Sequence, residues 1–139
     1  MTGLRFVDTN ILLYSISRDP AEAAKRDIAV SLLEADDIAL SVQVLQEFYV
    51  NVTRKIANPV SKKSARLVVS TYTTWCIETT PAEIATAFRI EDESRIGFWD
   101  ALILASAVKS GADRILSEDL NAGQTISGVL IQNPFASIR

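Results

Sequence analysis

Four carboxylates stand where an acid needs an explanation. Asp8 interrupts FVDTNILLY, residues 6–14, between two apolar residues and the apolar run that begins at Ile11. Asp100 is the sole charge between Gly97 and Val108, and the apolar run ALILASAV follows it. Asp119 closes Ser117-Glu118-Asp119, directly after the strand-like RIL. Glu47 lies within SVQVLQEFY, residues 41–49. A buried charge is costly unless a cation, a metal or strong hydrogen-bond donors match it. Each acid also has a plain local explanation. Asp8 suits a helix N-cap. Asp100 suits a cap or a favourable helix-dipole position. Asp119 suits a polar turn. On a helical wheel Val44, Leu45, Phe48, Val52 and Ile56 mark the apolar stripe. Glu47 falls with Gln43, Asn51 and Arg54 on the polar side, which describes a solvated face and equally the wall of an open cleft.

The chemistry open to these groups is narrow. The chain has no histidine and one cysteine, Cys76. That excludes histidine acid–base catalysis and Ser-His triads, and leaves few nitrogen or sulfur metal sites. Carboxylates, hydroxyls, lysine and arginine remain, and any metal would be held by oxygen, which favours Mg²⁺ or Mn²⁺ over zinc.

The elements that must position these acids alternate. Strands are expected at Leu4–Val7, Ile38–Leu40, Cys76–Thr79, Arg114–Leu116 and Val129–Gln132. Helices are expected over Ile11–Ser17 (capped by Thr9 or Asn10), Ala21–Glu34, Val42–Ile56 (capped by Ser41), Lys62–Trp75, Pro81–Ile96 and Phe98–Ser110, the last ending at Gly111. Such alternation predicts an α/β fold with a mostly parallel sheet covered on both faces, whose ligands bind beyond the carboxyl ends of the strands. Asp8 follows the first strand at once, and Asp119 follows Arg114–Leu116 within three residues. The helix after Gly97 is apolar all round and should be buried, and Trp99 is expected in the core with it.

Composition sets the frame. With 139 residues, 48% apolar and 22% charged, the chain suits a single globular domain over residues 1–139. No apolar run reaches the roughly 18–20 residues that span a bilayer, so no membrane contact is expected. MTGLRFVD, with Arg5 and Asp8, does not read as a secretion signal. Cys76 has no partner for an intrachain disulfide, which fits a reducing cytoplasm.

The stretches FVDTNILLY, SVQVLQEFY, FWDALILASA and RILSEDL resemble, in order and spacing, the four acidic motifs of the PIN-domain family. The resemblance is to small bacterial ribonucleases of the VapC toxin type and runs from Leu4 to Phe135. It implies a three-layer α/β/α fold around a five-stranded, mostly parallel sheet. It also implies that Asp8, Glu47, Asp100 and Asp119 form a catalytic quartet binding divalent metal. Thr9, Asn10 and Ser117 would support it, and Glu118 is a spare acid beside Asp119. The implied activity is an Mg²⁺- or Mn²⁺-dependent endoribonuclease in which an activated water attacks the phosphodiester, leaving a 5′-phosphate and a 3′-hydroxyl. The implied partners are an RNA substrate, a cognate antitoxin and a second copy in a homodimer.

A net charge of −3 suits RNA poorly, but the distribution is uneven. No acid occurs between Phe48 and Ile77, where Arg54, Lys55, Lys62, Lys63 and Arg66 supply five positive charges. Such a tract beside an acidic cleft offers a path for an RNA backbone, and equally describes an ordinary charged helix face. Tyr49, Tyr72 and Trp75 could stack on bases or pack in the core. A receiver-like phosphorylation domain is disfavoured, because no lysine follows Lys109. The other alternative is a catalytically inactive PIN-like module that binds RNA or protein.

Overall fold

The computed structural model describes residues 3–35 and 37–138. The chain runs β1 (Arg5–Val7), α1 (Thr9–Ser15), α2 (Ala23–Leu33), β2 (Ile38–Ser41), α3 (Val42–Val50), α4 (Lys62–Tyr72), β3 (Cys76–Ile77), α5 (Pro81–Ser94), α6 (Phe98–Ser110), β4 (Arg114–Leu116), β5 (Thr125–Ile126) and β6 (Val129–Gln132). A 3₁₀ turn at Pro20–Glu22 leads into α2, a π-helical turn at Asn51–Lys55 extends α3, and a second 3₁₀ turn at Thr73–Trp75 ends α4.

Among the described residues the strands form one sheet in the order β3-β2-β1-β4-β6-β5. The first five are parallel and β5 runs antiparallel to β6. Helices flank this sheet, as expected. The sixth strand was not expected. It exists because Ser127 and Gly128, both at positive φ (50° and 84°), make a two-residue turn that folds Thr125–Ile126 back onto Val129–Leu130. Turns of that hand match the natural twist of a hairpin.

The order of strands places a reversal between β1 and β4. From β1 the chain builds outward through β2 and β3, then returns to add β4 on the other side. In open α/β sheets such a reversal opens a crevice at the carboxyl edge. The strands are buried through Phe6, Val7, Leu40, Ile115, Leu116 and Ile131. Helix α6, buried without a break from Ala101 to Ala107, packs on β2, β4 and β6, and α5 packs against it. On α5 the Glu83 side chain completes a capping box with Thr80 and accepts from Lys109 of α6 at 2.9 Å, joining the two helices.

Trp99 departs from its expected place. It is 65% exposed, because it lies in the first turn of α6, before the buried stretch begins. Its ring packs edge-on against Phe98 at 5.1 Å, and Phe98 in turn meets the exposed Phe88 at 5.7 Å. Among the described residues no helix is long and apolar enough to cross a membrane.

Candidate active site

Asp8 is the first residue past β1, with extended backbone (φ −79°, ψ 165°). It, rather than Thr9 or Asn10, caps α1: its Oδ1 accepts from the Thr9 N–H at 2.7 Å. The other oxygen, Oδ2, accepts from Ser117 Oγ, also at 2.7 Å. This contact spans 109 residues of sequence and follows from the register of the sheet. Val7 pairs with Leu116, so the residues that follow each strand emerge side by side, and Asp8 N–H donates to Leu116 C=O. Asp8 therefore caps α1 through one oxygen and meets Ser117 through the other.

The remaining polar residues are linked in series. Thr9 Oγ1 donates to Glu47 Oε1 at 2.9 Å. Asn10 Nδ2 donates to Asp119 Oδ2 at 3.1 Å, and the Asp119 N–H donates to Ser117 Oγ at 3.2 Å. Asp8, Thr9, Asn10 and Ser117 are all buried. Glu47 is half-buried on α3, and its side chain is turned to Thr9 rather than left free in solvent. Ser41, at the end of β2, caps α3 through the Val44 N–H and so sets where Glu47 begins its approach.

Asp100 joins from α6. It is exposed in the first turn of that helix, and no hydrogen bond ties it to the other acids; its link is electrostatic. Partial burial and then the charge of Asp119 raise its pKa. Asp8 is perturbed most. Burial pushes its carboxyl up to about 6, against the lowering effect of the bonds from Ser117 and Thr9, and the charges of Glu47 and Asp119 add to the rise. Asp8 thus feels the charges of Glu47 and Asp119, and Asp100 feels that of Asp119.

Among the described residues no lysine or arginine pairs with any of these four carboxylates. The donor set is all oxygen, the charge is uncompensated, and a hard divalent cation would relieve it, so the residues fit Mg²⁺ or Mn²⁺. Also among the described residues, no three acidic, histidine or cysteine side chains are gathered closely enough to hold one ion between them. An ion would take one or two carboxylates directly and water for the rest, the usual habit of Mg²⁺.

A cavity of about 310 Å³ opens beside Asn10, Glu118 and Asp119 and extends past Tyr14 and Arg18 to Ile56, Asn58 and Val60. Arg54 and Lys55 immediately precede this wall and are exposed, as are Lys62, Lys63 and Arg66 on α4. The Arg66 guanidinium lies 5.9 Å from the Tyr49 ring centre, while Tyr72 and Trp75 pack on each other at 5.8 Å.

Two contributors escaped sequence reasoning. Gln43 was placed with Glu47 on the polar face, but it is buried and its Nε2 donates to Trp99 C=O at 3.0 Å, tying α3 to the start of α6 beside Asp100. Lys25 sits in α2 with no sequence feature that marks it, yet it donates to Glu118 Oε2 at 2.5 Å. Burial works to raise the Glu118 pKa, but the bonds from Lys25 and Tyr14 outweigh it and hold the carboxyl below its usual range. The four-residue interval from Gln43 to Glu47 was a readable signal for the first; nothing local signals the second.

Fold and site together define an α/β domain with an acidic cluster at the switch point of a parallel sheet. The PIN-domain family model matches residues 5–125, and the chain belongs to that family. No curated protein matches the sequence. Among solved structures, a toxin–antitoxin complex from Klebsiella pneumoniae is similar at TM-score 0.70 and 21% identity, over 94% of this chain and 97% of that one. VapBC2 from Rickettsia felis, bound to a DNA fragment from its promoter, is similar at TM-score 0.65 and 19% identity, over 94% and 98%. Mycobacterium tuberculosis VapC20, described as a toxin that cleaves the sarcin–ricin loop, is similar at TM-score 0.61 and 19% identity, over 83% and 91%.

Proposed function

We propose that this PIN domain is a divalent-metal-dependent endoribonuclease and the toxin of a toxin–antitoxin pair. The observation that carries the reading is the chain of bonds joining Asp8, Ser117, Asp119 and Asn10 and joining Thr9 to Glu47, at the carboxyl edge of the sheet, with no lysine or arginine paired to an acid of the quartet among the described residues. A bound Mg²⁺ or Mn²⁺ would supply charge neutralisation for the phosphodiester and a water of lowered pKa. Asp8, held from both sides by Thr9 and Ser117, would be the central ligand, with Glu47, Asp100 and Asp119 completing the set. Thr9, Asn10 and Ser117 would hold the Asp8, Glu47 and Asp119 carboxylates in place so that little reorganisation is needed when substrate arrives. Arg54, Lys55, Lys62, Lys63 and Arg66 would hold the RNA backbone along α3 and α4 without touching the reacting atoms. The similarity to a structure described as a toxin–antitoxin complex supports an antitoxin partner.

The test is cleavage of a generic RNA by purified protein with Mn²⁺ or Mg²⁺, with EDTA, and with Asp8→Asn. Metal-dependent endonucleolytic products bearing 5′-phosphates are expected, absent in EDTA and in the variant. A second reading, a PIN-like module that binds RNA or protein without cutting, draws on the lack of a three-carboxylate cage among the described residues. Intact RNA under all conditions, with binding retained, would establish it instead.

A further inference from the structure

Glu118 adjoins Asp119 in sequence but is engaged elsewhere. Its Oε1 accepts from Tyr14 Oη at 2.5 Å and its Oε2 from Lys25 Nζ at 2.5 Å. Lys25 Nζ also donates to Tyr14 Oη at 3.2 Å. The ammonium lies 4.9 Å from the centre of the Tyr14 ring and 5.8 Å from that of Phe135, and these two rings meet edge to face at 5.0 Å. One ammonium and one phenol thus converge on one loop carboxylate, with the Phe135 ring packed against both. The backbone of that residue is bound to the site as well: Glu118 N–H donates to Asn10 Oδ1 at 3.3 Å, and the other end of the same amide holds Asp119 Oδ2. Asn10 and Tyr14 stand four residues apart on α1, so both project from one face of that helix. The Glu118 side chain and backbone are pinned to that face one turn apart, and Asp119 follows directly.

We propose that Lys25, Tyr14 and Glu118 form a clamp that positions Asp119 and Asn10 for divalent-metal binding. The three are positioning residues, Glu118 is not a metal ligand, and the proposal rests on the metal-site reading above. The physical reason is twofold. Residues 117–119 are otherwise held by bonds that leave the Glu118 side chain untouched: Ser117 N–H to Gln132 C=O, Ser117 Oγ to Asp8 Oδ2, Asp119 N–H to Ser117 Oγ, and the two bonds with the Asn10 amide. And without the Lys25 ammonium, the Glu118 carboxylate would stand uncompensated beside the acids already crowded there, free to turn toward the ion and displace Asp119 from it. Outer-shell partners that orient a ligand commonly carry about 10–100-fold in metal affinity.

The test is Mn²⁺ binding to the full chain, followed through the paramagnetic resonance signal of free Mn²⁺, for wild type, Lys25→Met, Lys25→Arg and Tyr14→Phe, with the melting temperature of each. Lys25→Met should weaken Mn²⁺ binding about tenfold. Lys25→Arg, which can still pair with Glu118, should restore most of it, and Tyr14→Phe should show a smaller loss in the same direction. Lower melting temperatures with unchanged Mn²⁺ affinity would overturn the clamp and leave the metal site standing. Absence of Mn²⁺ binding in wild type would overturn both. Should Lys25→Met not fold, Tyr14→Phe, which deletes one hydroxyl, decides alone.

Discussion

Replacing Asp8 with asparagine should stabilise the metal-free protein at neutral pH while destroying the site. Burial and the neighbouring acids move the Asp8 pKa from 3.8 to about 6, so the folded chain holds this proton more tightly than the unfolded chain does. The associated stability is fully present below about pH 3.8 and is lost as pH rises through about 6. Above that range the folded state carries the whole cost of an ionised, buried carboxylate. About two pKa units at roughly 1.4 kcal/mol each give an upper bound near 3 kcal/mol. Against this, an amide in place of Oδ2 no longer accepts from the Ser117 hydroxyl, which costs about 1 kcal/mol. Oδ1 can still cap Thr9 N–H. The net expectation is about 2 kcal/mol in favour of Asp8→Asn at pH 7.5 in EDTA, or roughly 5–10 °C in melting temperature. At pH 4 the gain should vanish, and millimolar Mn²⁺ should raise the melting temperature of wild type but not of the variant. The assay is thermal unfolding of both proteins from pH 4 to 7.5, with EDTA and with Mn²⁺. A variant that melts below wild type at pH 7.5 in EDTA, or a gap that does not change with pH, would refute the reasoning.

Asp100→Asn should abolish cleavage and raise the melting temperature slightly in EDTA, since burial and Asp119 both raise its pKa; a lower melting temperature would make Asp100 chiefly a partner of the α6 dipole. Neutralising Lys62 and Lys63 together should flatten the salt dependence of RNA affinity by roughly 1–2 units, with cleavage at saturating RNA little changed; binding titrations at several salt concentrations check this. Arg95→Gly should stabilise the protein by about 1 kcal/mol in denaturant unfolding, because Arg95 ends α5 in the left-handed region at φ 55° while its N–H still caps Glu91 C=O.

The sequence by itself determined the parts that depend on local pattern. The Asp8 motif lies where an apolar strand meets a helix, and the uninterrupted apolar character after Asp100 marks a buried helix; both were legible because periodicity and capping act over a few residues. Five of the six strands were legible for the same reason. The sixth has two residues and rests on the backbone sign of Ser127 and Gly128, which a short apolar pattern does not announce. Tertiary structure alone decided three matters. It set Thr9 against Glu47, a partnership that a helical wheel cannot predict because the wheel says nothing of what faces the polar side of α3. It left Trp99 outside the core, since burial of α6 begins only where the sheet reaches it. And it drew Glu118 away from the acids by bringing Lys25 to it across 93 residues. An ion pair of that kind depends on which strands become neighbours: the contact exists because β4 pairs with β1, and α1 and α2 pack beside each other after it.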